Sequence, residues 1–127
     1  MPAESENDRP RVLVIDDDQA LLRMIRLTMA SAGLQVSTAQ DGAAALEELD
    51  AAEFDVIVLD LQMPRMDGRA FFREMTARGH NPQVIILSAY GAREAQQELN
   101  VAAACPKPFD PDDLVETVRR VAAGSAT

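Results

Sequence analysis

The chain is poor in the residues that build disulfides, zinc sites and membrane spans. It has one cysteine, Cys105, and one histidine, His80, among 127 residues. A lone cysteine forms no internal disulfide and favours a reducing compartment. One cysteine and one histidine are also too few ligands for a His/Cys zinc site. No apolar run approaches the roughly 20 residues that span a bilayer. Residues 1–10 are acidic and polar, unlike a signal peptide. We therefore expect a cytoplasmic protein with no membrane partner.

Basic residues are also scarce. Twelve Lys and Arg stand against 21 Asp and Glu, for a net charge of −9. Phosphate neutralisation supplies most of the affinity of a duplex-binding domain, so direct nucleic-acid binding is not expected. All but one of the basic side chains are arginine, typical of an Arg- and Ala-rich genome. That composition does not explain the single lysine, Lys107.

Apolar segments of strand length alternate with helical patterns along the whole chain. The predicted strands are 12–15, 34–39, 56–59, 84–87 and 101–105. Uniformly apolar strands are typical of a parallel sheet covered on both faces. The pattern predicts a doubly wound, three-layer α/β domain. We assign 1–10 to a disordered tail, 11–123 to the domain and 124–127 to a C-terminal tail.

Turn and capping signals support this division. Gly33 is placed to end the first helix as its C′ residue. Asp18 and Asp41 are N-cap candidates for the first and second helices. Asp110 and Pro111 have the order of an N-cap and an N1 proline, which predicts the start of the last helix.

Polar side chains follow the predicted strands where each strand ends. Asp16 and Asp17 follow the first strand, Asp60 the third and Ser88 the fourth, and Lys107 lies just after the fifth. Ligands of open α/β sheets bind outside the carboxyl ends of the strands, so these side chains are expected to meet.

Three neighbouring carboxylates must take up a proton or hold a cation. Oxygen ligands with open water positions suit Mg²⁺. Mg²⁺ and Lys107 would neutralise Asp16, Asp17 and Asp60. Aspartate is a known covalent nucleophile, and such a site suits phosphoryl transfer to a carboxylate.

The residues that carry this pattern resemble a known family. Asp16-Asp17-Asp18, Asp60-Leu61-Gln62-Met63-Pro64-Arg65-Met66-Asp67-Gly68, Ser88-Ala89 and Lys107-Pro108-Phe109 occur in the order found in response-regulator receiver domains, the phospho-acceptor modules of two-component signalling. The resemblance covers about residues 10–123. It implies a flavodoxin-like (βα)5 fold with strand order 2-1-3-4-5.

The resemblance also implies roles. Asp60 would be the phospho-acceptor, with Ser88 and Lys107 contacting the phosphoryl group. Mg²⁺ (or Mn²⁺) would be held by Asp17, Asp60 and the main-chain carbonyl of Gln62, with Asp16 acting largely through water. The bond from Lys107 to Pro108 is usually cis in this family.

The family's partners are a sensor histidine kinase or a histidine phosphotransfer protein, and a downstream protein target. The implied protein is a switch and not an enzyme, apart from self-catalysed phosphorylation and dephosphorylation of Asp60. Because the sequence has no DNA-binding segment after the last helix, we expect a single-domain regulator that signals by protein contacts. A homodimer is a further possibility, and a receiver excised from a longer regulator or hybrid kinase would have the same sequence.

Two departures from the family pattern concern signal output. Ala104 stands where the family usually has Tyr or Phe, which excludes the usual aromatic switch at that position. The interval from Ser88 to Lys107 is shorter than the usual one by roughly one helical turn. We therefore expect an altered or unusually mobile surface around the fourth helix and fifth strand. Tyr90 is either a substitute mobile aromatic or, as we favour, a partly packed loop residue. Asn100, where Gly is common, tolerates a left-handed helix cap.

Three other functions fit parts of the sequence. A haloacid-dehalogenase-like phosphatase would use Asp16 and Asp18 as its D-x-D motif, but it leaves Asp60 unexplained and has Ala20 where Thr or Val is expected. A flavodoxin needs a Ser/Thr/Gly-rich phosphate loop where this chain has three aspartates. A degenerate receiver, acting as an unphosphorylated interaction module, would not need the complete residue set.

The remaining residues have structural interpretations. Met24 and Met29, like Phe71 and Phe72, recur at helical spacing and are predicted to be core residues. His80 is predicted to be a solvated loop residue. Cys105 is predicted to be a small buried hydrophobic residue.

Overall fold

The computed structural model describes residues 9–125, so the predicted tail at 1–10 and the last two residues fall mostly outside the described part of the chain. Strands and helices alternate as β1 (Arg11–Ile15), α1 (Gln19–Ser31), β2 (Gln35–Ala39), α2 (Gly42–Ala51), β3 (Val56–Asp60), α3 (Gly68–Ala77), β4 (Gln83–Ser88), α4 (Ala92–Leu99), β5 (Ala103–Pro106) and α5 (Pro111–Ser125).

The five strands form one parallel sheet in the order β2-β1-β3-β4-β5. The register pairs Ile15 with Leu59, and Ser88 with Pro106. Matched registers bring the carboxyl ends of the strands to one edge, as ligand sites of this architecture require. The predicted fold class and strand order are confirmed.

Two apolar layers cover the sheet because side chains alternate along each strand. Val12 and Val14 pack with α1 and α5, whereas Leu13 and Ile15 pack with α2, α3 and α4. The central strands are buried on both faces, which explains their uninterrupted apolar sequences. The charged residues at the strand ends therefore rest on a rigid support.

Short polar caps begin the first three helices. Asp18, Asp41 and Asp67 accept hydrogen bonds from the backbone N–H of Leu21, Ala44 and Ala70, the usual N-cap arrangement. Gly33 follows α1 with φ of +90°, and Asn100 ends α4 with φ of 55°. The predicted caps at Asp18, Asp41, Gly33 and Asn100 are confirmed.

The structure differs from the sequence predictions at several positions. β5 begins at Ala103 instead of 101, and α5 continues to Ser125, beyond the predicted domain end at 123. Met29 is buried, but Met24 is 36% exposed, so its prediction as a core residue is wrong. Met24 shares the helical spacing of the core residues, but it lies at the border of the apolar face of α1. Within 9–125, no helix is long and apolar enough to cross a membrane.

Candidate functional site

Three aspartates meet at the carboxyl edge of the sheet. Asp16 and Asp17 follow β1, and Asp60 is the last residue of β3. Asp16 and Asp60 are buried, whereas Asp17 is exposed. One carboxylate oxygen from each lies within 4.8 Å of the others. The predicted convergence of these three side chains is confirmed.

Lys107 lies beside the three aspartates. Its Nζ donates to Asp16 Oδ2 at 2.8 Å and lies 3.9 Å from Asp60 Oδ1. The backbone places it there, since the N–H of Lys107 donates to the Ser88 carbonyl at 2.8 Å. The peptide bond to Pro108 is cis, as predicted. One ammonium thus partly neutralises two buried carboxylates.

Main-chain donors fix the two buried carboxylates. The N–H of Asp18 donates to Asp16 Oδ1 at 2.9 Å, and the N–H of Gln62 donates to Asp60 Oδ1 at 3.1 Å. Both donors lie two residues after the carboxylate they hold, so each loop orients its own aspartate. The geometry is preorganised by short local contacts.

The charges at this edge are not balanced by protein groups alone. Burial raises the pKa of Asp60 to about 6, and repulsion from Asp16 and Asp17 adds to the increase. The Gln62 N–H and Lys107 act in the opposite direction. Carboxylates that repel one another in a partly desolvated cluster fit a hard divalent cation. The donor set therefore fits the expected Mg²⁺.

Ser88 ends β4 at the same edge and is completely buried. Its Oγ donates to the Tyr90 carbonyl at 3.0 Å and accepts from the Tyr90 N–H at 3.3 Å. The Tyr90 side chain is 74% exposed, so its prediction as partly packed is wrong. The loop uses the tyrosine backbone, which leaves its ring available to solvent.

Gly68 contributes to the site in a way the sequence analysis did not identify. Its N–H donates to the Leu61 carbonyl at 2.9 Å. A Cβ at this position would lie 2.6 Å from the Asp60 carbonyl oxygen and 2.7 Å from the Leu61 Cα. Gly68 therefore lets α3 begin directly against the backbone of Asp60 and Leu61. Its place at the end of the Asp60–Gly68 motif was the only available signal.

His80 lies at the opposite edge of the sheet, in a charged network. Its Nε2 is 2.9 Å from Asp50 Oδ1, Asp50 Oδ2 is 2.6 Å from Arg78, and Arg78 also pairs with Glu74 at 3.0 Å. The histidine side chain is only 25% exposed. Its prediction as a solvated residue is therefore wrong, because residues distant in sequence meet it here.

A doubly wound sheet with three carboxylates, a serine and a lysine at its carboxyl edge defines a phospho-acceptor class of signalling domain. Residues 12–119 match the family model described as the response regulator receiver domain. The chain belongs to this family and is a receiver domain of two-component signalling.

Curated relatives are longer than this chain. It is 33% identical over 112 residues to the response regulator MprA of Mycolicibacterium vanbaalenii, covering 86% of this chain and 48% of the relative. It is 36% identical to the DNA-binding transcriptional regulator NtrC of Escherichia coli, covering 86% and 24%. The chain thus spans about half or less of the length of these relatives.

Solved structures of similar size match almost completely. A Francisella response regulator receiver domain is 32% identical with a TM-score of 0.84, covering 92% of this chain and 99% of the other. The response regulator TrrA of Thermotoga maritima, solved in complex with Mg²⁺ and BeF, is 26% identical with a TM-score of 0.78, covering 88% and 98%.

Proposed function

We propose that the domain accepts a phosphoryl group on Asp60, donated by a histidine kinase or a histidine phosphotransfer protein, and signals through protein contacts. The observation that carries this proposal is Lys107, whose ammonium lies between Asp16 and Asp60 in a cluster of three carboxylates. A buried aspartate with a fixed cation beside it suits a covalent acceptor.

Mg²⁺, or Mn²⁺ in its place, would be held by Asp17, Asp60 and the main-chain carbonyl of Gln62, with Asp16 acting largely through water. When bound, it would offset the negative charge of the phosphoryl oxygens. The mutual distances of the carboxylates and the raised pKa of Asp60 support this assignment. The Mg²⁺ and BeF complex of TrrA gives it a precedent in a relative.

The protein groups divide the work of phosphoryl transfer. Asp60 Oδ1 is engaged by the Gln62 N–H, so we assign attack on phosphorus to Oδ2. The new P–O bond forms as the P–N bond of a donor phosphohistidine breaks, and Lys107 neutralises charge on the transferred group. Asp16 keeps Lys107 oriented through its 2.8 Å ion pair.

Ser88 supplies the conformational part of the proposal. Its hydroxyl is engaged by the Tyr90 backbone on both sides. To donate to a phosphoryl oxygen, the hydroxyl must leave the Tyr90 carbonyl, and the 88–90 turn changes with it. Phosphorylation is thereby linked to the start of α4, with no aromatic side chain needed at Ala104.

An apolar surface next to Lys107 supports a protein as the phosphoryl donor. Leu21 and Met24 of α1 line it together with Ala89, Pro108 and Phe109. A phosphohistidine-bearing helix packed on this surface would reach the acceptor directly. We further propose a cytoplasmic switch domain that extends from β1 to the end of α5 at Ser125, without direct nucleic-acid binding and without enzyme activity toward other substrates.

The test is intact mass spectrometry after treatment with acetyl phosphate, with Mg²⁺ or with EDTA. We expect a gain of about 80 Da, the mass of one phosphoryl group, only when Mg²⁺ is present. Asp60→Asn abolishes the gain, and Lys107→Ala strongly reduces it. Glu47→Gln, an exposed change on α2, is the matched control and keeps the full gain.

Normal labelling of Asp60→Asn would contradict the assigned acceptor. An unlabelled wild-type chain that also fails to bind beryllofluoride with Mg²⁺ would contradict phosphoryl acceptance itself. An unlabelled chain that does bind beryllofluoride would instead identify rapid hydrolysis of the acyl phosphate.

A further inference from the structure

We propose that the first turn of α2 holds the loop between β3 and α3, residues 61–67, in the conformation that binds the divalent cation. Gly42 acts on this loop through Met66, and the N-cap of α2 acts on it through Arg65. All three are positioning residues outside the proposed ligand set. The inference rests on the proposed cation site, since the loop supplies the Gln62 carbonyl.

Both ends of the β3–α3 loop are fixed to the backbone around Asp60. The Gln62 N–H donates to Asp60 Oδ1 at 3.1 Å, and the Gly68 N–H donates to the Leu61 carbonyl at 2.9 Å. Because the loop is short and held at both ends, a displacement in its middle changes the orientation of the peptide groups near Gln62. The direction of the proposed carbonyl ligand therefore depends on residues 63–67.

The middle of the loop has a strained backbone at Arg65. Its φ is 69°, in the left-handed region that residues with a side chain adopt at an energetic cost. The Met66 N–H donates to the Pro64 carbonyl at 2.7 Å, which closes a three-residue turn around Arg65. A conformation of this kind persists only where the surrounding structure determines it, so the loop needs support from outside itself.

The N-cap of α2 supplies one supporting contact. Arg65 Nη2 lies 3.6 Å from Asp41 Oδ2, while Asp41 Oδ1 accepts from the Ala44 N–H at 2.8 Å. One carboxylate therefore caps its own helix and also pairs with the loop. The Arg65 side chain is 81% exposed, so this ion pair contributes little alone, and a second contact must carry most of the support.

The second contact is the packing of Met66 on Gly42. Gly42 is buried and is the first residue of α2. A Cβ at this position would lie 2.6 Å from the Sδ, 3.1 Å from the Cγ and 3.2 Å from the Cβ of Met66. Met66 is half-buried and packs against the apolar layer that α2 and α3 share. With any larger residue at position 42, Met66 must move, and the loop moves with it.

No backbone requirement explains a glycine at position 42. Its φ lies outside the left-handed region, and alanine is the better helix former. The remaining reason is the space that Met66 occupies. The glycine weakens the first turn of α2 but provides the seat that fixes the β3–α3 loop.

The experiment is isothermal titration calorimetry of Mg²⁺ into the full chain, with urea unfolding in EDTA as the second measurement. We expect Gly42→Ala to weaken Mg²⁺ binding about fivefold, less than the ~10-fold or more that is lost with a direct partner of a metal ligand. The urea midpoint is expected to change little, because alanine favours the helix while the Met66 side chain moves aside. The amide resonances of residues 61–67 should shift already in EDTA, since the loop is displaced before any metal binds.

Two further substitutions test the two contacts separately. Met66→Ala removes the side chain that the added Cβ would displace, and it should weaken Mg²⁺ binding about as much as Gly42→Ala. In this background Gly42→Ala has no further effect, so the two changes are not additive. Arg65→Gly removes the ion pair and the left-handed strain together. It should weaken Mg²⁺ binding about twofold, the scale of an exposed ion pair, while raising the urea midpoint.

The matched control is Gly124→Ala in α5, an exposed position where an added Cβ meets nothing within 4 Å. It keeps the wild-type affinity for Mg²⁺. Unchanged affinity in Gly42→Ala, with normal binding by the wild type, would overturn this inference and leave the cation site intact. A wild-type chain that binds no Mg²⁺ would overturn both. Additive weakening in the double variant of Gly42 and Met66 would overturn the route through Met66.

Discussion

The two edges of the sheet use charge in opposite ways. At the carboxyl edge, Asp16 and Asp60 are buried side by side, and the pKa of Asp60 is raised to about 6. At the amino edge, acidic and basic groups alternate on the surface, and the hydrogen bond from His80 together with Arg78 lowers the pKa of Asp50. Carboxylates are concentrated at the carboxyl edge, where we propose phosphoryl transfer. Acidic and basic side chains alternate at the amino edge, where α2 and α3 end.

The difference shows what each edge contributes. An arrangement of repelling carboxylates costs stability until a cation joins it, which makes the edge responsive to ligands. An exposed network of opposite charges contributes little to stability, although it joins the C-terminal end of α2 to that of α3 through Asp50 and Arg78. Four predictions test this contrast, from the largest expected effect to the smallest.

Glycines at the two edges have different reasons for being glycine. Gly68→Ala forces a Cβ against the Asp60 carbonyl and the Leu61 Cα, and we expect it to lower the free energy of unfolding by about 2–3 kcal/mol. Gly79 has open space but φ of +89°, so Gly79→Ala should cost only about 1 kcal/mol. Urea unfolding measures both. Equal losses of unfolding free energy for the two variants would mean that the backbone at Asp60 and Leu61 moves aside to accommodate the added Cβ.

Removing the charge of Asp60 should stabilise the protein in the absence of a divalent metal ion. Because the pKa of Asp60 is higher in the folded state than its ordinary value of 3.8, wild-type stability is lost as pH rises from about 4 through about 6. Asp60→Asn should therefore be more stable by on the order of 2 kcal/mol at pH 8 and equal near pH 4. Urea unfolding in EDTA across this range measures it, with Glu47→Gln as the control. If Asp60→Asn were less stable than the wild type at pH 8, the charge of Asp60 would not be destabilising in the folded state, and the explanation would be wrong.

Mg²⁺ should stabilise the wild type through the same carboxylates. At a concentration tenfold above its dissociation constant, it should add about 1.4 kcal/mol. Asp60→Asn and Asp17→Asn should lose most of this gain, since each removes a carboxylate ligand. Thermal unfolding with and without Mg²⁺ measures the effect. A gain that survives both changes would place the ion elsewhere.

The smallest effect belongs to the amino edge. Because the pKa of Asp50 is lowered in the folded state, its contribution is present above pH 4 and is lost as pH falls through the folded-state value. Asp50→Asn should cost a small amount of stability at pH 6 and progressively less as the pH falls below about 4, and added salt should reduce the cost at pH 6. A loss of stability as large as that of Gly68→Ala would mean that the charged network at the amino edge contributes much more to stability than we expect.

The sequence was sufficient to predict the fold and the aspartate cluster because both depend on regular features. Strands that are apolar throughout must be covered on both faces, and parallel strands necessarily bring their carboxyl ends together. Asp16, Asp60 and Lys107 follow from those two rules alone. The caps at Asp18 and Asp41 follow from local backbone chemistry.

The errors at His80 and Tyr90 concern contacts that no local pattern encodes. His80 meets Asp50 across 30 positions, and its partner depends on how α2 and α3 end against each other. Tyr90 is exposed because Ser88 binds its backbone and leaves its ring outside. The role of Gly68 depends on the distance between the start of α3 and β3, which only the packed structure fixes.

The contact between Lys107 and Asp16 joins residues 91 positions apart. Asp60, the proposed acceptor, lies between them in the chain, and β1, β3 and β5 must all belong to one sheet before the three side chains meet. Under the proposed mechanism, a growing chain therefore has the complete site only after β5 has been made and added to the sheet. A truncated or partly folded chain would contain Asp60 but lack Lys107 beside it, so under the proposed function only a completely folded domain could be phosphorylated and signal.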